Sequence, residues 1–355
     1  MKEAVDPTLT AAHSKEVLAD CADAYACAKR FEARSDKSVH WNVFPGDFER
    51  SFAFADAWSR LLRNGITAGF NDDTLAVPDR WERRQRHDYS DMVPRSDRET
   101  RYSATVEQMF RFCAGRFGLQ FVEAVLNTEV GSPRLAEFVV TVKNGEHEAR
   151  RQLVANLHDL ALVYFSGRII SATRSNETVR RRYKASRTLV EIGGGFGELS
   201  AKLKRVDPQL RSIIFDLPEP GAVQHYYLRH RFPRAKVYTV RDYRRAGPAV
   251  FDEPFDFLLL PPTFIKILPA GWPAVAVNIR SFQEMNWTSV VDYFVELQRA
   301  VPAGGVFCCV NRFSKPIGDQ EISYDRFPFD DGWRTLSDGP VPFQTPIREG
   351  IFERG

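Results

Sequence analysis

The sequence predicts an α/β fold with a doubly wound sheet in the second half of the chain and a mainly helical region before it. Residues 188–201 contain a short apolar strand, a glycine-rich turn and the start of a helix. A second apolar strand ends at Asp216, and further apolar runs lie within 255–262, 274–277 and 303–313. Short apolar strands that alternate with helical segments are typical of a buried parallel sheet.

The glycine-rich turn carries an acidic residue and regularly spaced glycines: Glu191, Gly193, Gly195 and Gly197. The dinucleotide motif G-x-G-x-x-G does not fit in either register. A motif that starts at Gly193 needs a glycine where Glu198 stands, and one that starts at Gly194 has Phe196 in place of its second glycine. A P-loop does not fit either, since no Gly-Lys-Ser/Thr follows. A carboxylate at the strand end would repel a pyrophosphate, whereas it suits a ligand with an ammonium group.

S-adenosylmethionine has an ammonium group and a sulfonium and lacks a phosphate. The stretch resembles the first motif of the class I S-adenosylmethionine-dependent methyltransferases, which implies a Rossmann-like methyltransferase sheet. The alternative is a tight turn between strand and helix that binds no ligand, although four glycines and an acid at this junction are costly to fold.

Composition limits the classes of function. The chain has 355 residues, 43% of them hydrophobic, and a net charge of +3 that is too small to predict a nucleic-acid partner. The five cysteines show no metal-type spacing, which favours reduced thiols. We find no signal peptide and no window near the ~18 apolar residues of a membrane span, and therefore expect a cytoplasmic protein without stable membrane insertion.

The predicted domains are a helical region over 1–185 and a cofactor-binding domain over 186–355. In the first, helical spacing of apolar residues predicts helices in 1–40, 41–65, 101–127 and 148–170, with a helix or strand at 134–142. We expect this region to recognise substrate as a cap over the sheet or to mediate oligomerisation, for example as a homodimer. Asp72 and Asp73 are better explained by a turn or a helix cap than by a metal.

In the second half, Asp216 lies 19 residues after Gly197. An acid at this position can accept hydrogen bonds from both ribose hydroxyls, although an Asx-turn or helix cap is the alternative. We assign the third core strand to 255–262 and interpret 237–240 as an added strand that could run antiparallel. The last strands are predicted at 333–336 and 343–348.

Several motifs together resemble the putative sugar O-methyltransferase family, most clearly over residues 185–315. They read E-I-G-G-G-F-G, F-D-L-P-E, Y-Y-L-R, L-L-L-P-P, N-I-R-S-F-Q-E-M, D-Y-F and V-N-R-F. The most specific is S-F-Q-E-M after the fourth strand. In this family a proline is frequent at the position of Gly194, and an Asp is usual at the position of Ala274. Any structural role of that Asp is therefore lost in this chain.

The class and family imply further site residues. Leu217, Pro262, Thr263 and Asn278 are expected to bind S-adenosylmethionine, with Pro262 and Thr263 against the adenine. The sugar contacts are predicted to be Glu129, Tyr226 and Arg312.

A sugar hydroxyl has too high a pKa to ionise freely, so O-methyl transfer needs a general base. Glu284 is the only carboxylate of the loop after the fourth strand. We predict that it is the base or orients one, with Gln283 holding a neighbouring hydroxyl, although Glu284 could instead cap the next helix or pair with an Arg. His225 is the second candidate base, and a structural role is its alternative. No metal is predicted.

The expected function is therefore methyl transfer from S-adenosylmethionine to a hydroxyl of a sugar, nucleotide sugar, glycoside or polysaccharide unit. The first alternative is an O-methyltransferase of a small phenolic or hydroxy-acid natural product. The second is an inactive cofactor-binding partner subunit, but the glycine motif and both acids that such a protein would lose are intact.

Overall fold

The computed structural model describes residues 11–32, 48–55, 58, 95–126, 136–144 and 147–355. The chain divides into two compact units. The first comprises residues 1–14 and 47–167, and the second comprises residues 15–46 and 168–355. The N-terminal helix α1, Ala11–Lys29, thus lies mostly in the same unit as the sheet, whereas the sequence placed it with the helical region.

The first unit combines helices with a β-hairpin. Its helices are α2 (Phe48–Ser51), α3 (Arg95–Phe117), α4 (Leu119–Val125) and most of α5 (Leu157–Ala172). Strands β1 (Ala136–Asn144) and β2 (His147–Ala155) pair antiparallel. The helices predicted over 101–127 are confirmed. The helix predicted over 148–170 is wrong in its first part, because the nine-residue ladder with β1 pairs residues up to Ala155. The remainder of 41–65 and Asp72 and Asp73 lie outside the described residues.

The second unit is built on an eight-stranded sheet. Its strands are β3 (Thr188–Ile192), β4 (Arg211–Phe215), β5 (Val237–Thr239), β6 (Phe257–Leu260), β7 (Val275–Ile279), β8 (Val306–Arg312), β11 (Trp333–Val341) and β12 (Gln344–Arg354). They follow the order β11-β12-β8-β7-β3-β4-β6-β5. Six strands, β3 to β8, are parallel, and β12 and β11 complete one edge antiparallel. The predicted doubly wound α/β fold is confirmed.

The strand assignments within this sheet are also confirmed, with one correction. Phe257–Leu260 is the third core strand beside β4, and Val237–Thr239 is an added edge strand beyond it. This added strand is parallel to β6, which contradicts the antiparallel direction considered from the sequence. A helix connects β4 to it, and such a crossover returns the chain in the same direction.

Helices cover the sheet and connect its strands. They are α6 (Glu177–Ser186), α7 (Glu198–Val206), α8 (Pro218–Arg231), α9 (Val240–Ala246) and α10 (Trp287–Ala300). Phe294 of α10 packs in the core against Phe282 and Phe307, with ring centroids 5.5 and 5.8 Å away. A small antiparallel hairpin, β9 (Ser314–Ile317) with β10 (Gln320–Ser323), follows β8. Among the described residues, no helix combines the length and apolar character needed to span a membrane.

Candidate active site

The candidate site lies where the winding of the sheet reverses. Strand β3 is central, with β4 on one side and β7 on the other. Ile192, its last residue, is in register with Phe215 of β4 and Asn278 of β7. In doubly wound sheets the carboxyl ends of the strands form a ligand-binding crevice at such a switch point. The glycine turn predicted from the sequence therefore lies at the position where this fold binds ligands.

The glycines of the turn adopt conformations that disfavour other residues. Gly193, Gly195 and Gly197 have φ angles of +68°, +58° and +89°. A Cβ atom on Gly193 would lie 2.2 Å from the Cβ atom of Ser281, so the loop after β7 packs directly on the turn. Gly194 is also tightly surrounded, because a Cβ atom there would lie 2.5 Å from Ile214 Cγ2. The turn is thus shaped by backbone geometry and by close packing from two neighbouring strands.

Glu191 is buried beneath this turn. The Ser200 hydroxyl of α7 donates a hydrogen bond to its carboxylate at 2.5 Å. Burial raises the pKa of Glu191 to about 8, and the nearby Asp216 carboxylate also raises it. Glu191 therefore ties the end of β3 to the first turns of α7, and its attraction for a ligand ammonium stays a prediction.

Asp216 at the end of β4 brings the second strand onto the glycine turn. Its carboxylate accepts hydrogen bonds from the Leu217 backbone N–H and from Gln224 Nε2, both at 2.8 Å. Gln224 Nε2 also donates to the Gly195 carbonyl at 2.9 Å, which joins Asp216 to the glycine turn, and the nearby backbone N–H groups of Gly194 and Gly195 act to lower the pKa of Asp216. Burial nevertheless raises the pKa of Asp216 to about 7. The structure thus brings together the glycine turn and the acid that the sequence assigned to the ribose.

Asn278 and Gln283 belong to a buried amide network. Asn278 Nδ2 donates to the Ile192 carbonyl at 3.1 Å, and its Oδ1 accepts from Asn311 Nδ2 at 2.8 Å. Asn311 Oδ1 accepts from the Gln283 backbone N–H, and Gln283 Oε1 accepts from the Arg312 backbone N–H. The network fixes the loop after β7 to the ends of β3 and β8. Sequence reasoning missed Asn311, whose only signal was its place at the end of an apolar strand.

Glu284 lies in the same loop and is partly buried. Its Oε1 atom is 3.1 Å from Nζ of Lys315, which is on β9. The alternative predicted from the sequence was an ion pair between Glu284 and an Arg. An ion pair is present, but its cation is Lys315. Asn286, and not Glu284, is at the N-cap of the next helix. Glu284 therefore lies on a loop that the amide network holds and that packs on the glycine turn through Ser281.

His225 lies on helix α8, away from this loop. Its ring is 1% exposed, and Nε2 is 3.2 Å from Asp20 Oδ2 of α1. Asp20 also forms ion pairs with Arg229, at 3.1 Å, and with Arg241. Burial lowers the pKa of His225, whereas the contact with His225 holds the pKa of Asp20 well below its usual range. Asp20 thus fastens α1 to two helices of the sheet unit.

A pocket lies between α1 and the carboxyl ends of β4 and β6. Asp216 and Leu217 line it together with Gln224 and His225, and α1 contributes Tyr25. Sequence reasoning missed both Gln224 and α1, because neither belongs to a motif. Pro262 and Thr263 begin a short 3-10 helix just beyond the pocket, and the Thr263 hydroxyl donates to the Phe31 carbonyl at 3.3 Å.

The two predicted sugar contacts that the structure describes lie in different environments. Tyr226 is 1% exposed and packs on the ring of His230, with centroids 4.2 Å apart. Arg312 is exposed at the end of β8. Glu129 lies outside the described residues. Within those residues, no group of three or more His, Cys, Asp or Glu side chains could hold a metal ion.

Comparison with known proteins gives only structural similarities. No family model and no curated protein matches the chain. Among solved structures, the chain is similar to mitomycin 7-O-methyltransferase MmcR, with 17% identity over 56% of this chain and 57% of that chain and a TM-score of 0.35. An O-methyltransferase family protein from Burkholderia thailandensis gives 12% identity, 55% and 60% coverage and a TM-score of 0.35.

NcsB1 from neocarzinostatin biosynthesis, solved with S-adenosyl-L-homocysteine and 1,4-dihydroxy-2-naphthoic acid, gives 15% identity, 56% and 58% coverage and a TM-score of 0.31. The chain therefore spans less than two thirds of the length of these proteins. At these TM-scores the similarity carries neither a reaction nor an acceptor over to this chain.

Proposed function

We propose that this protein is an S-adenosylmethionine-dependent O-methyltransferase. The observation that carries the proposal is the bridge by which Gln224 Nε2 donates to both Asp216 and the Gly195 carbonyl of the glycine turn, at the switch point of the sheet. Two acidic side chains, the buried Glu191 and the partly buried Asp216, lie at this position, and in their ionised forms they disfavour a phosphate ligand. They suit a ligand that combines ribose hydroxyls with positive charge.

The residues predicted to bind S-adenosylmethionine lie along the carboxyl ends of the strands, in the same order as the parts of that molecule. Asp216 would accept hydrogen bonds from the ribose, with Leu217 beside it, and Pro262 and Thr263 would lie on the adenine side. The glycine turn would hold the methionine part, near the loop after β7. S-adenosylmethionine supplies an electrophilic methyl group on its sulfonium.

The loop after β7 is then the place for the acceptor. In the proposed reaction the hydroxyl oxygen forms a bond to the methyl carbon while the sulfonium–carbon bond breaks, and Glu284 takes the hydroxyl proton. Much of the rate enhancement comes from holding the acceptor oxygen in line with the methyl carbon and the sulfonium. A general base increases the rate by a further factor of about 10²–10⁴. Asn278 and Gln283 contribute by fixing this loop, since their amide groups bond to the chain itself.

His225 is the weaker candidate for the base. It lines the pocket together with Leu259 and Leu260 of β6, whereas Glu284 follows β7. These strands are three positions apart in the sheet, or about 14 Å at the usual strand spacing. One acceptor hydroxyl cannot contact both groups. The partners of His225 therefore favour a role in holding α1 and the pocket.

Two acceptor classes remain to be separated by experiment. A sugar hydroxyl follows from the resemblance of the sequence to the putative sugar O-methyltransferase family. A phenol or hydroxy acid is the alternative, and the names of MmcR and NcsB1 refer to natural products of small size. A third possibility, an inactive partner subunit that binds cofactor, is distinguished by the absence of turnover with either class.

Calorimetry with S-adenosylmethionine and S-adenosylhomocysteine tests the cofactor site. We expect micromolar binding by the unaltered protein and no binding by Gly195→Arg or Asp216→Ala. Failure of the unaltered protein to bind either compound would sink the proposal. Nucleotide sugars, glycosides, phenols and hydroxy acids then serve as acceptors in a methyl-transfer assay that detects S-adenosylhomocysteine, with Glu284→Gln as the comparison.

A further inference from the structure

An exposed arginine lies at the carboxyl end of β8, next to the loop that carries Glu284. Arg312 is the last residue of this strand. Within the described residues its guanidinium has no hydrogen bond, ion pair or ring contact. Other arginines of the same unit each pair with a carboxylate, among them Arg299, Arg334, Arg348 and Arg354. The charge of Arg312 is therefore available to a ligand.

The backbone of Arg312 is held in place although its side chain is exposed. Its N–H donates to Gln283 Oε1 at 2.8 Å, and Gln283 is 2% exposed. The next residue, Phe313, donates its N–H to the Pro346 carbonyl at 3.1 Å and accepts from the Tyr324 N–H at 3.0 Å. Because the chain is fixed at the root of the side chain, less conformational freedom is lost when a ligand binds there.

The same contacts place Arg312 beside the proposed base. Gln283, which holds the Arg312 backbone, directly precedes Glu284 in the loop after β7. Lys315, whose Nζ is 3.1 Å from Glu284 Oε1, lies three residues after Arg312, so their Cα atoms are at most about 11 Å apart. The partner of Glu284 in this ion pair is Lys315, which leaves Arg312 for another group of the same acceptor.

A second exposed arginine follows the neighbouring strand. Arg280 comes directly after Ile279, the last residue of β7, and its φ of +66° is in the left-handed region that disfavours side chains with a Cβ. Its backbone N–H donates to the Val310 carbonyl at 2.7 Å, two residues before Arg312. Backbone conformations of this kind cluster at ligand-binding sites. Arg280 and Arg312 thus add positive charge to the edge of the sheet where the acceptor is proposed to bind.

The charge at this edge indicates the chemistry of the acceptor. A guanidinium binds carboxylates and phosphates through paired N–H donors. We infer that Arg312 binds a carboxylate or phosphate of the acceptor while the hydroxyl that is methylated lies at Glu284. The inference rests on the proposed function and narrows its acceptor classes. Hydroxy acids, acidic phenols, uronic acids and phosphorylated or nucleotide-linked sugars are favoured over neutral glycosides and simple phenols.

The first test compares acceptors that differ only in the anionic group, in a methyl-transfer assay with the unaltered protein. The pairs are a glucuronide and the corresponding glucoside, a sugar phosphate and the free sugar, and a hydroxybenzoate and the corresponding hydroxybenzamide. In the pair that is methylated, we expect kcat/KM of the acidic member to be at least about tenfold higher, because only this member binds the guanidinium.

The outcomes of this test separate the inference from the proposed function. Equal kcat/KM within the methylated pair, or turnover of the neutral member alone, would overturn the inference and leave the methyltransferase in place. Turnover of no acceptor, or no binding of S-adenosylhomocysteine in calorimetry, would overturn the proposed function and the inference with it.

The second test uses variants of Arg312 and a matched control at the opposite end of the sheet. Arg174 is also exposed and belongs to the same unit. Asn176, two residues later, donates to Glu353 at 2.8 Å, and Glu353 is in register with Val306, the first residue of β8. Arg174 therefore lies near the amino end of the strand whose carboxyl end carries Arg312.

With the acidic acceptor, Arg312→Gln should raise KM at least about tenfold and change kcat less than about threefold, because it removes binding and not chemistry. Arg312→Lys should recover part of this loss, since it keeps the charge but not the paired donors. Arg174→Gln should behave as the unaltered protein, and all three variants should keep its affinity for S-adenosylhomocysteine. Equal KM values for Arg312→Gln and Arg174→Gln would overturn the inference.

Discussion

Gly193 offers the sharpest test of how the glycine turn is built, through the change Gly193→Ala. Its φ of +68° would cost a residue with a Cβ about 1–2 kcal/mol. The new Cβ would also lie 2.2 Å from Ser281 Cβ and 2.3 Å from Ser281 Oγ, so the chain must shift at a cost of about 1–3 kcal/mol. We expect Gly193→Ala to lower the free energy of unfolding by about 2–5 kcal/mol in total.

A double-mutant cycle separates these two contributions. Ser281→Gly removes the atoms that clash, although it also removes the hydrogen bond from the Ser281 hydroxyl to the Ile192 carbonyl at 2.8 Å. The double variant should therefore be more stable than the sum of the single effects predicts, by about 1–3 kcal/mol. Urea unfolding followed by near-UV circular dichroism gives the free energy of unfolding of the four proteins of the cycle. The values can be compared when the m values of the four proteins agree.

Gly197→Ala is the matched control for this cycle. Its φ of +89° is equally unfavourable for alanine, but a Cβ there would meet Leu228 at an ordinary 3.5 Å. It should cost only the conformational part, about 1–2 kcal/mol, and should show no coupling to Ser281→Gly. Additivity of Gly193→Ala and Ser281→Gly within about 0.5 kcal/mol would refute the claim that the loop after β7 packs on the turn.

Three further predictions concern ionisable groups. Because the pKa of Asp216 is raised to about 7 from an ordinary 3.8, its ionisation destabilises the folded protein increasingly as pH rises towards 7. Asp216→Asn should therefore increase the free energy of unfolding more at pH 8 than at pH 5 in urea titrations, while weakening S-adenosylhomocysteine binding. The pKa of Asp20 is lowered by its contacts with His225 and arginines, so its stabilisation is present above about pH 4 and lost as pH falls. The loss of stability in Asp20→Asn should accordingly shrink below pH 4, and a constant difference would contradict this reading. Glu284→Gln should lower kcat in a methyl-transfer assay by about 10²-fold or more, because it removes the proposed base. Lys315→Met, which removes only the partner of Glu284, should lower kcat less than about tenfold. Equal effects of the two changes would show that the ion pair matters and that Glu284 is not the base.

The parts of the fold predicted correctly from the sequence are those with a local signal. The continuous apolar run at 257–260 predicted a buried strand, and β6 is that strand. Strand β2 was missed because its apolar positions overlap with the helical spacing that continues into α5, and pairing with β1 decides the outcome. The direction of β5 depends on the crossover helix α8 and not on its own three residues.

The same distinction applies to the site. The glycine turn and Asp216 could be predicted because each occupies a fixed place beside its own strand. Asn278 and Gln283 look the same in sequence whether they bind a ligand or hold a loop. Their partners, Asn311 and the backbone of Arg312, lie about 30 residues away and become neighbours only because β7 pairs with β8. A polar residue at a strand end therefore indicates the location of a site without revealing its role.

His225 shows why position in the fold has to be combined with chemistry. From sequence, a histidine near Asp216 was a reasonable base, since its ordinary pKa suits proton transfer. In the structure its Nε2 faces Asp20 of α1, a residue about 200 positions earlier in the chain. That contact orients the ring between α1 and α8. If His225 only fastens α1, His225→Leu should lower the free energy of unfolding, and the protein that stays folded should keep its turnover within about tenfold. If His225 were the base, His225→Leu would instead lower the turnover of the folded protein by about 10²-fold or more.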